Sequence, residues 1–427
     1  MDGASGDSAR SADSTKNLGA AVLTSPISMS ILWMTAIWHA SSVLGDLHFR
    51  ISKHDFSLYY LSSLAFRKHC DPYVTSLNHL GNQLSLQVGD LDRATHPPTF
   101  LLLFEPLTVL APHAAYWLWA ALNFVCLIAA LALLQSALPL RFRLLLFPLA
   151  LLYEPVSSHF HWGQANLPVL LLLAGLVRCL ECRRDGLGGT LLSLATLMRM
   201  FPLILVGYLL LQKKWRAVWY FVMGVSALGI LTIVLAGIAQ SLHYSDGMRV
   251  VTAEKWLTYT NNISVRAFIT RLLLTTDALR QSSVQALRWV IILAAQLGIL
   301  AATTRLTIAA PSGKDDHSRL LSLWIATSIL LSPTAWDHYM VLLFVMFYSL
   351  TGAVLKGAAM RRAIYAAFAS YICSDSPFIL SSIGVWPAHG WLQAAFYEKD
   401  FVAMSLAYVA AYWFAHDIPA GEPILES

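Results

Sequence analysis

The run HAAYWLWAALNFVCLIAALALLQSAL, residues 113–138, decides the fold class. It contains no Asp, Glu, Lys or Arg. It also exceeds the roughly 20 apolar residues that carry a helix through a hydrocarbon core about 30 Å thick. With no water at hand, its backbone N–H and C=O groups must pair within the segment, which makes it a helix. Comparable runs lie near 18–44, 143–160, 165–181, 187–199, 200–212, 217–240, 286–305, 320–332, 338–355, 363–385 and 400–416. The chain therefore reads as an all-α, polytopic transmembrane helical bundle of about 12 spans. Composition agrees. Of 427 residues, 57% are hydrophobic and 12% charged, about half the charged share of a soluble domain. The mean hydropathy is +0.59.

Residues 1–17 are polar and rich in Ser and Asp, and are expected to form a disordered cytoplasmic tail. Residues 18–416 form a single transmembrane domain, and 417–427 a short cytoplasmic tail. The first apolar run is too long for the core of a signal peptide and reads as a retained span. Among the five cysteines, Cys179 and Cys182 have metal-like spacing. No second pair of ligands completes a site, so no metal or cofactor is expected. The net charge of +5 is spread over short clusters, with no long basic tract for nucleic acid.

Those clusters set orientation. Arg141 and Arg143; Arg183 and Arg184; Lys213, Lys214 and Arg216; Arg305, Lys314 and Arg319; and Lys356, Arg361 and Arg362 lie between apolar runs. Placing all five in the cytoplasm puts both termini there. Segments 45–97, 241–285, 332–338 and 386–399 then face outward from a plasma membrane. Residues 97–110 are apolar but short and carry Glu105-Pro106. They are expected to form a re-entrant or surface segment in the first outer loop, tolerated where it is buried in protein or lines a cavity. The halves 187–199 and 200–212 meet at Arg199-Met200-Phe201-Pro202, as two short spans or one broken hairpin.

Polar residues that are not cytoplasmic anchors gather in five outward islands. A charge against the membrane is costly and marks a functional candidate. The first holds Asp46, then Asp55 at the start of a helical pattern with Tyr59 and Tyr60. Asp55 is either a general base or a helix N-cap. The second holds Trp162, Gln164 and Asn166, groups suited to sugar hydroxyls and a pyranose face, or a plain polar turn. The third is Arg199, a phosphate ligand or a snorkelling anchor. The fourth holds Trp256, Tyr259, Asn261, Asn262, Ser264, Arg266 and Arg271. The fifth holds Trp336, Asp337 and His338, a hydrogen-bonding group for phosphate or sugar, or an interfacial belt.

The order DFSLYY from Asp55, DPY from Asp71, HPPTFLLLFEPL from His96, WGQANL from Trp162, LMRMFP before QKKWRA, NNISVRAFITRLL from Asn261, and LLSPTAWDHYMVLL from Leu330 resembles glycosyltransferase family 87. These are polyprenol-phosphate-mannose-dependent α-1,2-mannosyltransferases of the multi-span GT-C class. The resemblance runs from about Asp55 to about Tyr348. It implies that Asp55 is the catalytic aspartate, with Asp46 as runner-up, and that His338 serves the sugar-phosphate site. His96 stands where the family usually has Tyr, and Arg199 where it usually has Lys.

The resemblance implies transfer of a hexose, mannose foremost, from a polyprenyl-phosphate donor to a glycolipid or glycan acceptor, with inversion. One base suffices, and cationic donors such as Arg199 and His338 would stabilise the leaving phosphate. Gln164, Asn166, Tyr59 and Tyr60 are further candidates for the donor site, and His96, Asn262, Arg266 and Trp336 secondary ones. The alternative function is a transporter or flippase of lipid-linked saccharides, whose broken helices and polar midplane residues look similar.

Overall fold

The computed structural model describes residues 25–48, 55–88, 92–136, 138–274, 282–310, 317–356, 358, 360–382 and 398–417. The expected N-terminal tail, residues 418–427 of the C-terminal tail, Lys314, and most of segment 386–399 lie outside these.

Nineteen α-helices form the described chain: α1 Pro26–His48, α2 Asp55–Arg67, α3 Asn78–Gln83, α4 Pro98–Phe104, α5 Pro112–Gln135, α6 Leu140–Leu152, α7 Glu154–Trp162, α8 Asn166–Glu181, α9 Asp185–Met198, α10 Leu205–Leu211, α11 Trp215–Ala236, α12 Ile238–Val251, α13 Glu254–Leu257, α14 Val265–Leu274, α15 Ser282–Ala309, α16 His317–Leu331, α17 Phe344–Leu355, α18 Arg361–Ser382 and α19 Lys399–His416. Three 3-10 turns, Glu105–Val109, Phe201–Ile204 and Asp337–Leu343, join neighbouring helices. No strand occurs among the described residues, although Asn262 and Trp336 make an isolated antiparallel bridge.

Among the described residues, each apolar run read from the sequence falls mainly on helix, while 18–24 of the first run and 383–385 of the eleventh lie outside them. Among the described residues, five helical stretches are long and apolar enough to cross a membrane: Pro26–Leu47, Pro112–Gln135, Trp215–Ala236, Gln285–Ala309 and Asp337–Leu355. Their outer faces suit lipid rather than water. On α11, Trp219 is 66% and Val234 72% exposed, and apolar faces of this kind on a water-soluble protein would drive association. Pro98–Val109, Phe201–Leu211 and His317–Leu331 are shorter apolar stretches.

Prolines explain where helices break. The run 143–160 becomes α6 and α7, which meet at an extended Tyr153. Pro155 sits in the first turn of α7, where its missing N–H costs nothing. Pro106 lies in the first turn of the 3-10 segment that ends α4. Segment 98–109 thus remains short and packs at one end of the bundle, with Phe100 and Phe104 buried against Phe56 and Tyr59 of α2.

The buried side chains form two clusters. The larger joins α8, α9, α10, α16, α17, α18 and α19. Small residues let these helices approach closely, as membrane helices require. A methyl group on Gly189 of α9 would fall 2.0 Å from the Ala217 carbonyl oxygen of α11. The smaller cluster caps one end and is built from α2, α4 and the start of α5. Lys214 pairs with Asp185, Tyr208 Oη with His317 Nδ1, and Arg319 and Arg362 lie over Phe414 and Trp413, so the starts of α9, α11, α16 and α18 meet the ends of α10 and α19 away from Arg199. The turns carrying Arg183, Lys213 and Arg361 therefore lie at the end of the bundle opposite this cap.

Candidate active site

The cap fixes one helix start against one turn. Helix α7 ends at Gly163, whose φ of +66° is left-handed, a conformation that glycine adopts without a steric penalty. Gly163 N–H donates to Phe160 O, and Gln164 N–H to His159 O, closing the helix end. Trp119 donates its indole N–H to Gly163 O at 2.9 Å. A methyl group on Gly163 would lie 2.8 Å from Phe56 Cβ. The WGQ turn therefore sits directly against the start of α2, and Asp55 faces Gln164.

Gln164 links three elements. Its Nε2 donates to Asp55 Oδ2. Its Oε1 accepts from Tyr59 Oη at 2.7 Å and from Arg199 Nη2. Arg199 also donates to Tyr59 Oη at 2.8 Å and to Tyr339 Oη at 3.1 Å. Arg199 is the extended C-cap of α9, with φ −146° and ψ 124°, just before the Phe201-Pro202 turn. That geometry turns its guanidinium toward the capped end rather than along the helix.

A second fastening brings in the fourth and fifth islands. Ile263 N–H donates to Ala335 O at 2.6 Å, and Asp337 N–H to Asn261 O at 3.0 Å. The buried Asn262 Oδ1 accepts from Ala335 N–H at 3.3 Å and from Ser264 Oγ at 3.0 Å. Arg271 pins the same loop, donating to Tyr259 O at 2.7 Å and Asn262 O at 3.0 Å, while its Nε and Nη2 grip Glu398.

These contacts enclose a cavity of about 480 Å³. Asp55, Trp162, Gln164, Arg199, Trp336 and His338 line it, as do His96, Tyr339 and the stacked pair Trp256–Tyr259. Every one of the five islands contributes. His338 is buried, and neither ring nitrogen has a hydrogen-bond partner among the described residues. Its Nδ1 lies 3.4 Å from Asp337 Oδ1. A groove of about 410 Å³ adjoins the cavity and shares His96, Arg199 and Tyr339 with it. Beyond Arg199 its walls are largely apolar: Phe201, Leu203, Ile204, Met248, Leu331 and Pro333.

Burial holds the Asp55 carboxyl above its ordinary pKa, against the opposing pull of His338, Arg199 and the Gln164 hydrogen bond. Burial, reinforced by the Arg199 charge, holds His96 well below the usual imidazole value. The site thus joins a carboxylate of raised basicity to a fixed guanidinium across one cavity. It can accept a proton at one end and hold an anion at the other.

Several sequence candidates lie outside the lining. Tyr60 points away and donates to Leu110 O at 2.7 Å. Asn166 is buried behind His338, 3.4 Å from its carbonyl oxygen. Asn262 holds the loop from behind. Arg266 stacks on Trp289 at 5.1 Å and donates to Thr252 O. Asp46 lines a separate chamber beyond Trp162. Sequence reading did not single out Tyr339 as a partner of Arg199, or Glu154 at all; neither carries a local spacing signal.

The fold and the site define a helical protein with membrane-length apolar stretches and a cavity lined by polar and aromatic side chains at one end. The sequence model of glycosyltransferase family 87 matches residues 94–333, more than half of the chain, and the chain belongs to that family. It is similar to a polyprenol-phosphate-mannose-dependent α-(1-2)-phosphatidylinositol mannoside mannosyltransferase of Mycobacterium tuberculosis, 27% identical over 58% of this chain and 52% of that protein. A phosphatidylinositol pentamannoside mannosyltransferase of the same species is 27% identical over 58% of this chain and 56% of its own length. An α-(1->3)-arabinofuranosyltransferase of Corynebacterium glutamicum is 30% identical over 32% of each chain. The chain spans little more than half the length of the two mannosyltransferases. No solved structure matches it significantly.

Proposed function

We propose that this protein transfers a hexose, mannose foremost, from a polyprenyl-phosphate donor to a hydroxyl of a glycolipid or glycan, with inversion at the anomeric carbon. One observation carries the reading: Asp55 and Arg199 face one cavity, joined through Gln164, and that cavity continues into an apolar groove at Arg199. The relatives named for mannose transfer from polyprenol-phosphate-mannose support the donor class.

The donor phosphate would rest on Arg199 and His338, with its prenyl chain in the apolar groove. Trp162, Trp256, Tyr259 and Trp336 offer faces for the sugar. The acceptor oxygen attacks C1 from the side opposite the phosphate, and its proton passes to the Asp55 carboxylate. The C1–O bond breaks, and its electron pair leaves on polyprenyl phosphate. Arg199 and His338 offset the charge that develops there. A single base meets the need, because phosphate leaves without protonation.

The reading includes a plasma-membrane protein of about 12 spans, and the basic turns opposite the cavity support a site on the outer face. The test is incorporation of labelled sugar from polyprenyl-phosphate mannose by the purified chain. Movement of the lipid-linked sugar across a vesicle bilayer without transfer would make it a flippase instead.

A further inference from the structure

A second cavity, of about 290 Å³, lies between the outer end of α1, helix α7 and the start of the Asp337–Leu343 turn. That is near the lower end of ligand-holding clefts. Asp46, Glu154, Ser158, His161, Trp162 and Asp337 line it. Trp162 also lines the main cavity, so one indole forms a wall of both. Asp337 is the other link, with Oδ1 3.4 Å from His338 Nδ1.

The two cavities differ in charge. The main one holds Arg199. The second is lined by three carboxylates and, among the described residues, by no Lys or Arg. A phosphate would meet no fixed cation in that lining. Two of these carboxylates, Asp337 and Glu154, have room for further donors. Asp337 is 6% exposed; its Oδ2 accepts from Ser158 Oγ at 2.5 Å, but its Oδ1 has no hydrogen-bond partner among the described residues. Glu154 Oε2 is likewise buried without one among those residues. A buried acceptor in this state costs free energy until a donor arrives. A metal ion does not fit, because no group of three or more His, Cys, Asp or Glu among the described residues converges closely enough to hold one.

We propose that this chamber is a saccharide subsite, which takes a neutral, hydroxyl-rich sugar unit of the acceptor and delivers the acceptor past Trp162 to the main cavity. Sugar hydroxyls donate to carboxylates, which are acceptor-only when ionised. The apolar face of a pyranose suits the indole. The inference rests on the proposed glycosyl transfer for the word acceptor, but not for the binding itself. The charge contrast sorts the two substrates, the phosphate-bearing donor to Arg199 and the neutral sugar to the carboxylates.

The test measures binding of methyl α-mannopyranoside to the full chain in detergent by saturation-transfer NMR, in the parent and in Glu154→Gln and Asp46→Asn. Asp46 is exposed, so its variant is expected to fold even if the Glu154 variant does not. Each variant is expected to bind about tenfold more weakly, the usual effect of losing a charge-assisted hydrogen bond. In transfer assays the acceptor KM is expected to rise about tenfold while the donor KM holds. Parent-like binding in the folded variants overturns the subsite, even if the enzyme transfers sugar normally. Binding that requires a divalent cation and disappears with chelator also overturns it. Weakened binding in a chain that transfers no sugar would uphold the chamber and remove the proposed function.

Discussion

Gln164 Nε2 donates to Asp55 Oδ2, so an amide rather than a cation orients the carboxylate. The same amide turns its oxygen to Arg199 and Tyr59. Only this orientation of the side chain serves an acceptor on one side and donors on the other. The carboxylate is thereby held in place without a direct ion pair to Arg199, which would reduce its basicity further.

Asp55→Asn should therefore fold normally and lose about 10²–10⁴-fold in kcat, the usual contribution of a positioned base. Asn starts helices about as well as Asp, so a purely structural role for Asp55 predicts near-normal turnover. Asp46→Asn should stay within about tenfold in kcat, because Asp46 faces the other chamber. Matched amounts of purified variants, assayed for transfer, decide between the two carboxylates.

The pH profile should follow the same group. A base must be ionised to act, so kcat rises with pH through the Asp55 pKa and is lost below it. Burial raises that pKa, so the acid limb should lie above the ordinary carboxylate value. Steady-state kinetics from pH 4 to pH 8 would show this. A limb at the ordinary value or lower would mean that the cationic neighbours outweigh burial.

Arg199 should behave as a phosphate ligand. Arg199→Lys keeps the charge but loses the fork that reaches Tyr59 and Tyr339 together, and Arg199→Ala loses both. Donor KM should therefore rise in the order Arg, Lys, Ala. Unchanged donor KM and kcat in Arg199→Ala would leave the residue a membrane anchor.

Gly163→Ala tests the turn that carries Gln164. The added methyl meets Phe56 Cβ at 2.8 Å in a left-handed backbone. The conformation alone costs about 1–2 kcal/mol. The apparent unfolding temperature should fall. In the protein that does fold, kcat should drop more than either KM, because the Asp55–Gln164 contact shifts. An Ala variant with parental stability and kcat would show that the turn has slack.

Much of this was legible in the chain. Apolar runs gave the helices because membrane helices satisfy their own backbones locally. The islands gave the cavity because polar groups are scarce in such a chain and gather where function needs them. Side-chain direction was harder to read. Tyr59 and Tyr60 are neighbours in sequence, but successive helical residues diverge by about 100°, so one reaches the site and the other turns to Leu110. Asn262 carries the look of a binding amide, yet its work is the bridge to Ala335, a pairing across 73 residues that no local pattern encodes. Glu154 stands in a Glu-Pro helix start and showed no signal until folding brought it beside Asp337.

The most direct measurement is the product itself. Purified chain is supplied with polyprenyl-phosphate mannose and a panel of mannosylated glycolipids, and products are read by mass spectrometry and by the anomeric coupling of the new linkage. One hexose should be added, with anomeric configuration opposite to that of the donor, and none by Asp55→Asn. Retention of the donor's configuration, or equal product from Asp55→Asn, would contradict single-base inverting transfer at this site.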